Sequence, residues 1–147
     1  MSRYVYKPIS RPVIVLLDND SAITAIKGSL KKQFGVSVDL TSTELFYHLT
    51  LNLYLIKTPE KGVPETSCIE DCFSDELKAT TLDGKSFSPE KNLDPATQYG
   101  KGPFAEKVVV PRANEIDWNG FRPLLNRVSA VIADYVAPAS AIGHKAA

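Results

Sequence analysis

The feature that most constrains this fold is a change of hydrophobic period between Pro12 and Gly35. Pro12 to Leu17 is a continuous aliphatic run, which is typical of a strand buried on both faces between helices. From Ser21 to Phe34 the apolar residues recur at helical spacing, and Gly35 then provides a stop signal. The stretch VIVLLDNDSA therefore predicts a strand, a tight acidic turn and the start of a helix.

The composition indicates a globular protein of about one domain. The chain has 147 residues, 44% of them hydrophobic, and its 17 basic residues balance 17 acidic ones. No apolar run approaches the roughly 20 residues of a membrane span, and the N-terminus lacks the apolar centre of a signal peptide. We therefore expect a cytoplasmic protein with no membrane partner. Cys68 and Cys72 are expected to be reduced, partly buried thiols without a zinc site.

The rest of the chain predicts an α/β fold with a mostly parallel sheet flanked by helices. We expect a lead-in at 1–11, one domain at 12–136 and a flexible tail at 137–147. Alternation and turn residues predict strands and hairpins, and helical spacing predicts helices. The predicted elements are a short strand at VSVDL (36–40), a hairpin at LFYHLT and LNLYLIKTP (45–59), a helix from Ser67 through SCIEDCFSDELKAT, a small hairpin around Asp83-Gly84, a short helix or strand at 104–110 and an amphipathic helix at 118–135.

Asp18 and Asp20 are the first candidate site residues, because they follow a strand whose carboxyl end reaches a sheet edge. Ligands of open α/β sheets bind at that edge. Two neighbouring carboxylates repel each other unless a cation or hydrogen-bond donors neutralise them, and a hard ion such as Mg²⁺ (or Mn²⁺) prefers carboxylate oxygens. The alternative is that the two residues only cap the helix that begins at Ser21.

Glu70 and Lys101 complete the candidate set. Glu70 follows the strand LNLYLIKTP, so it could join Asp18 and Asp20 around one cation. The alternative is that Glu70 is only an acidic residue in the first turn of a helix, where the helix dipole stabilises a negative charge. Lys101 lies between two glycines in YGKGPFAEKVV, where backbone can approach a ligand and the ammonium can reach a phosphate. Such a lysine is also commonly just solvated.

The ordered motifs resemble a known family. VIVLLDNDSA followed by a helix is similar to the D-x-D strand and turn of Toprim domains, the magnesium-binding fold of topoisomerases, primases and related nucleases. The further order NLYLIKTP, IEDCF, GKSF, YGKGPFAEKVV and IDWNGFRPLLNRVSAVIADY resembles the C-terminal Toprim-like extension of certain retron reverse transcriptases. The resemblance covers roughly residues 11 to 135.

The resemblance implies a metal-dependent nuclease or effector domain in anti-phage defence, working with a retron reverse transcriptase and its RNA–DNA product. Asp18 and Asp20 would hold Mg²⁺ or Mn²⁺, and Glu70 would be the acidic residue after the next strand. Lys101 would contact a phosphate or the transition state. In such a mechanism the cation activates water and neutralises the phosphate under attack.

The chain departs from this family in three respects, one of which is that Ser21-Ala22-Ile23 follow the D-x-D turn where Toprim domains often carry a glycine. A Y-x-D-D polymerase motif is missing, so polymerisation is not expected of this chain. Toprim domains also place a general acid/base glutamate on a strand upstream of D-x-D, whereas none of the residues before Asp18 is Glu. The chain is then a fragment, a stand-alone partner or a degenerate copy.

The alternative function is a non-catalytic module that binds nucleic acid or a reverse transcriptase. A phospho-acceptor receiver domain ranks low, because NLYLIKTP lacks the required Asp.

Overall fold

The protein has a mixed α/β fold in which small sheets and helices follow one another along the chain. A computed structural model describes residues 11–61 and 66–141, with side chains described as far as residue 135. The chain divides into two compact units, Met1–Ser67 together with Pro123–Ala147, and Cys68–Arg122. The predicted boundaries at 12 and 136 do not separate these units, and most of the predicted lead-in lies outside the described residues.

The sheet of the first unit is built from strands β1 (Val13–Leu17), β2 (Tyr47–Thr50) and β3 (Leu53–Lys57). The strand order is β1-β3-β2, with β1 parallel and β2 antiparallel to β3. The predicted hairpin at 45–59 is therefore confirmed as β2 and β3. Helix α1 (Ser21–Phe34) lies between β1 and the hairpin in the chain, as a parallel pair requires a crossover connection.

The prediction that β1 is buried on both faces is wrong. Val15 and Leu16 each remain 39% exposed, whereas Leu55 and Ile56 of β3 are buried. The reason is the strand order: β3 has β1 and β2 as neighbours, and β1 has β3 alone among the described strands. An aliphatic run marks a strand but does not fix whether that strand lies at the centre of its sheet.

Helix α1 forms as predicted, from Ser21 to Phe34. It packs Ile23 and Leu30 against Leu55 of β3 in the core of the first unit. Gly35 ends the helix in the left-handed region, at φ 70°, and its backbone N–H donates to the carbonyl of Lys31. The end of the helix is therefore set by one residue that tolerates this conformation.

The predicted strand VSVDL is not a strand, and two of its backbone carbonyls bind a side chain of β3. Val38 is buried in the core, but residues 36–40 form an irregular connection. The carbonyls of Asp39 and Leu40 accept hydrogen bonds from the Lys57 ammonium, at 2.8 and 2.9 Å. A side chain from β3 thus binds carbonyls that a sheet ladder would otherwise use.

Helix α4 (Arg122–Ala141) follows a 3₁₀ turn at Trp118–Phe121 and corresponds to the predicted amphipathic helix. Its buried residues in the first unit include Leu124 and Val131. The helix continues past residue 136, into the segment predicted as a flexible tail; residues 142–147 lie outside the described residues. Among the described residues, no helix has the length and apolar character that crossing a membrane requires.

The second unit is built around short elements and a core of Leu77, Tyr99, Phe104 and Val108. Its helices are α2 (Asp75–Lys78) and α3 (Lys101–Phe104), and α3 runs on through a π-helical turn at Ala105–Val109 and a 3₁₀ turn at Val110–Arg112. The strands β4 (Ser86–Phe87) and β5 (Gln98–Tyr99) pair in parallel. The predicted short helix or strand at 104–110 is therefore helical.

Two predictions for the second unit need correction. The helix predicted from Ser67 is interrupted: a 3₁₀ turn at Ile69–Cys72 ends at Phe73, and Ser74 caps α2 by accepting from the Leu77 N–H at 3.2 Å. The turn predicted at Asp83-Gly84 is confirmed, with φ values of 51° and 77°. However, β4 pairs with β5 and not with a strand across that turn, because the ladder across it stops at an isolated bridge between Leu82 and Lys85.

The close approach at Gly120 generates a stability prediction. A Cβ built on Gly120 would lie 2.0 Å from the carbonyl oxygen of Cys72, so backbone would have to move. Gly120→Ala is expected to lower the free energy of unfolding by about 3 kcal/mol, the cost of severe overpacking. Gly28→Ala is the control: nothing lies within 4 Å of the added Cβ, and we expect a gain of about 0.5–1 kcal/mol. Equal urea midpoints for the two variants would contradict this prediction.

Candidate functional site

The candidate site of the first unit lies where β1 and β3 end side by side. Because the two strands are parallel, Asp18, Asn19 and Asp20 after β1 emerge at the same edge as Thr58 and Glu60 after β3. Ligands of open α/β sheets bind at this carboxyl edge. The fold thus puts the D-x-D turn where the sequence predicts it.

Asp20 caps helix α1, one of the two roles predicted for it. Its backbone is extended, and its side-chain Oδ1 accepts a hydrogen bond from the Ala22 N–H at 2.7 Å. An N-cap satisfies one of the amide groups that the first helical turn leaves without a backbone acceptor. The cap uses Oδ1, and a carboxylate has a second oxygen that can accept from another donor or bind a cation.

Asn19, the middle residue of the D-x-D turn, is completely buried and tied to three segments of the first unit. Its N–H donates to Thr58 Oγ1 at 2.9 Å and its carbonyl accepts from the Ser67 N–H at 3.0 Å. Its side-chain amide donates to the carbonyl of Leu40 at 3.0 Å. Both neighbouring aspartates are therefore attached to a residue whose main chain and side chain are held in place.

Lys57, the last residue of β3, supplies the central interaction of this edge. Its side chain is 0% exposed, and the ammonium donates to Asn19 Oδ1 at 3.1 Å as well as to the two carbonyls of residues 39 and 40. It also forms an ion pair with Glu60 Oε1 at 2.9 Å. A buried ammonium is tolerated only when it is paired and hydrogen-bonded in this way.

A second buried cation, Arg127 of α4, binds the same segment. Its guanidinium donates to the carbonyl of Lys57 at 2.8 Å and to both oxygens of Glu60, at 2.9 and 3.2 Å. Burial raises the pKa of Glu60, but the hydrogen bond from Lys57 and the charge of Arg127 together lower it by more. The net pKa of Glu60 is therefore below the ordinary value. Glu60 is therefore the carboxylate shared by two buried cations.

The second unit brings two of the predicted site residues together. Lys101 Nζ lies 2.8 Å from Glu70 Oε2, with the side chain of Glu70 11% exposed and that of Lys101 38% exposed. Glu70 is held on the 3₁₀ turn Ile69–Cys72, and Lys101 begins α3 just after Gly100. The lysine predicted to reach a phosphate is thus anchored by a largely buried carboxylate.

The neighbours of Glu70 have local structural roles. Asp71 accepts from the Cys68 N–H at 2.9 Å and closes the turn. Burial raises the pKa of the Cys68 thiol to about 12, helped by a hydrogen bond with Glu70 and by the charge of Asp71. Cys68 and Cys72 are reduced thiols and at least partly buried, as predicted. A thiol with so high a pKa stays protonated at neutral pH and is a poor nucleophile.

The predicted three-carboxylate metal site finds no support among the described residues. Within 11–61 and 66–141, no three His, Cys, Asp or Glu side chains are grouped as a metal ion would require. Glu70 binds Lys101 in the second unit, whereas Asp18 and Asp20 belong to the first. At this edge of the first unit the D-x-D turn contributes the carboxylates of Asp18 and Asp20, and Asp20 caps α1.

Sequence reasoning missed Asn19, Lys57, Thr58, Glu60 and Arg127. One signal was available: a lysine that ends an apolar strand and is followed by Thr-Pro-Glu is unusual, because an ammonium is seldom fully buried without a partner. The partners themselves are distant in the chain. Arg127 lies 70 residues from the carbonyl that it binds.

Comparison with known proteins found no family model that matches the chain and no solved structure that matches it.

The lowered pKa of Glu60 predicts an acid-dependent stability. A carboxyl group whose pKa is lower in the folded state stabilises the protein at pH values above the group's ordinary pKa of 4.5. This stabilisation disappears as the pH falls through the folded-state pKa. Glu60→Gln should lower the free energy of unfolding at neutral pH by about 3 kcal/mol, since it leaves two buried cations without their carboxylate.

The difference between wild type and Glu60→Gln should narrow as the pH falls below the ordinary value for glutamate, which urea unfolding at several pH values can measure. The control is Glu44→Gln, since Glu44 is an exposed glutamate of the same unit. A pH-independent difference for Glu60→Gln, or an equal loss for Glu44→Gln, would contradict the assigned ion pairs.

Proposed function

We propose that this protein is a magnesium-dependent nuclease or phosphodiesterase-type effector module with a Toprim-like fold. It acts on nucleic acid beside a retron reverse transcriptase and its RNA–DNA product, in anti-phage defence. The observation that carries the proposal is the D-x-D turn at the carboxyl edge of the parallel pair β1 and β3. Its middle residue, Asn19, is buried and hydrogen-bonded, so the turn has a fixed conformation.

Asp18 and Asp20 would hold the cation, Mg²⁺ or Mn²⁺. Magnesium is usually bound through one or two carboxylates, with water and substrate phosphates as its other ligands, so a third protein carboxylate is not required. Asp20 uses Oδ1 for the helix cap, which orients the carboxylate and leaves its second oxygen for other interactions. A bound ion would supply charge neutralisation on the phosphate and an activated water.

Glu70 and Lys101 act as a pair in the second unit. Glu70 holds the Lys101 ammonium at 2.8 Å, and the Lys101 side chain is 38% exposed, so a phosphate oxygen can approach it from solvent. Lys101 is thus the phosphate-binding residue in this proposal, and Glu70 is the residue that positions it. Glu70 is not required as a metal ligand.

A second candidate function is a non-catalytic module that binds nucleic acid or a reverse transcriptase. It is favoured by the lack of a three-ligand metal group among the described residues. The two functions differ in how they depend on metal. Calorimetric titration with magnesium, with and without an oligonucleotide, separates them: oligonucleotide binding that is indifferent to magnesium, without cleavage, supports the non-catalytic module.

Substitution of the D-x-D aspartates tests the proposed activity. Asp18→Asn and Asp20→Asn should each abolish magnesium binding and nucleic-acid cleavage, because an amide has no negative charge to hold the cation. Asp39→Asn is the matched control, since Asp39 is an exposed aspartate of the same unit. Cleavage by the two variants at the wild-type rate, with circular dichroism showing intact folds, would refute the proposal.

Substitution of Lys101 tests the second part of the proposal. Lys101→Gln should lower the cleavage rate by about 100-fold, the effect of losing one donor to a developing negative charge. Lys91→Gln is the control, because Lys91 is an exposed lysine of the same unit. An equal rate for Lys101→Gln and Lys91→Gln would exclude a role for Lys101 at the phosphate.

A further inference from the structure

Helix α1 carries an exposed basic face for which the fold itself gives little reason. The helix sequence SAITAIKGSLKKQF contains three lysines and no aspartate or glutamate. Lys27, Lys31 and Lys32 are all exposed. Lysines in the last turn of a helix interact favourably with the helix dipole, and this accounts in part for Lys31 and Lys32. It does not account for Lys27, which lies near the middle of the helix.

Gly28 lies among these lysines and is the more informative residue. It is exposed, and nothing lies within 4 Å of a Cβ placed there, so no neighbour in the chain requires a glycine. A glycine inside a helix costs about 0.5–1 kcal/mol relative to alanine. Its φ is not in the left-handed region that would favour glycine. A small residue kept at this cost, with open space outside, fits the close approach of another molecule.

The spacing places the three lysines around Gly28 on the exposed surface of the helix. Lys31 and Lys32 follow Gly28 by three and four positions, so both lie one helical turn away from it, and Lys27 lies one turn before Lys31. The side opposite is occupied by Ile23 and Leu30, which are buried in the core. Three ammonium groups surround a position that has no side chain. This arrangement suits a polyanion with regularly repeated negative charges and a narrow backbone that can lie close to the helix.

We infer that the Gly28 face of α1, defined by Lys27, Gly28, Lys31 and Lys32, binds the phosphodiester backbone of a nucleic acid. The lysines neutralise phosphates, and the missing side chain at Gly28 lets the backbone lie against the helix. Phosphate contacts of this kind set position and do not read sequence. The inference rests on the proposed function only in taking nucleic acid as the partner, since it needs neither metal nor cleavage.

The test is equilibrium binding of fluorescent DNA and RNA oligonucleotides to the full chain, in EDTA and over a range of salt concentrations. The triple variant Lys27→Gln, Lys31→Gln, Lys32→Gln should bind more weakly, and the slope of log affinity against log salt should fall by about one for each lysine. Lys91→Gln with Lys107→Gln, two exposed lysines of the second unit, is the charge control and should change neither quantity.

The role of Gly28 is tested separately. Gly28→Gln should weaken binding while its melting temperature stays at or above that of wild type, because glutamine is the better helix former and the space is open. Ser129→Gln adds the same side chain at an exposed position of α4, and should leave binding unchanged. Equal binding by the two glutamine variants would overturn the close approach at Gly28.

Two further results would overturn the inference as a whole: an unchanged salt slope in the triple variant, or binding to anionic phospholipid vesicles but not to oligonucleotides. Failure of the proposed function looks different. If Asp18→Asn and Asp20→Asn cleave like wild type, the metal site is wrong, yet binding through α1 in EDTA can still be lost in the triple lysine variant. A difference between the DNA and RNA affinities identifies which nucleic acid the face prefers.

Discussion

The buried ammonium of Lys57 is the interaction on which the first unit depends. An unpaired charge in a protein interior costs several kcal/mol, so the surrounding chain has to supply acceptors. Here Asn19 supplies a side-chain oxygen, the connection after α1 supplies two carbonyls, and Glu60 supplies the opposite charge. Segments that are separate in the sequence therefore meet at one nitrogen atom. Arg127 extends the arrangement to α4 by binding Glu60 and the carbonyl of Lys57 itself.

The parts of the fold that sequence reasoning predicted correctly are those fixed by local signals. The switch from β1 to α1, the stop at Gly35 and the β2–β3 hairpin all follow from periodicity and turn chemistry within a few residues. The errors have tertiary causes. The exposure of β1 follows from strand order, and residues 36–40 are irregular because a lysine from another strand binds their carbonyls.

The residues of the candidate site likewise fall into those that local signals indicate and those that only the tertiary fold determines. Spacing and composition drew attention to Asp18, Asp20, Glu70 and Lys101, and the structure joins the last two as an ion pair. The residues that hold the D-x-D turn could not be found from spacing, because Lys57 and Asn19 are 38 positions apart and nothing local links them. A buried polar residue has a role only through its partners, and those partners are determined by the fold.

The exposure of Val15 and Leu16 in β1 has a consequence for handling the protein. Val15 and Leu16 present apolar surface on a strand with no charged residue in the run VIVLL and, among the described strands, a single neighbour. Strands of this kind are templates for pairing between molecules, and natural proteins commonly protect them with lysine or proline inside the strand. Concentrated samples are therefore expected to form oligomers or precipitate slowly, and a lysine introduced at the exposed position Leu16 is the obvious way to improve their shelf life.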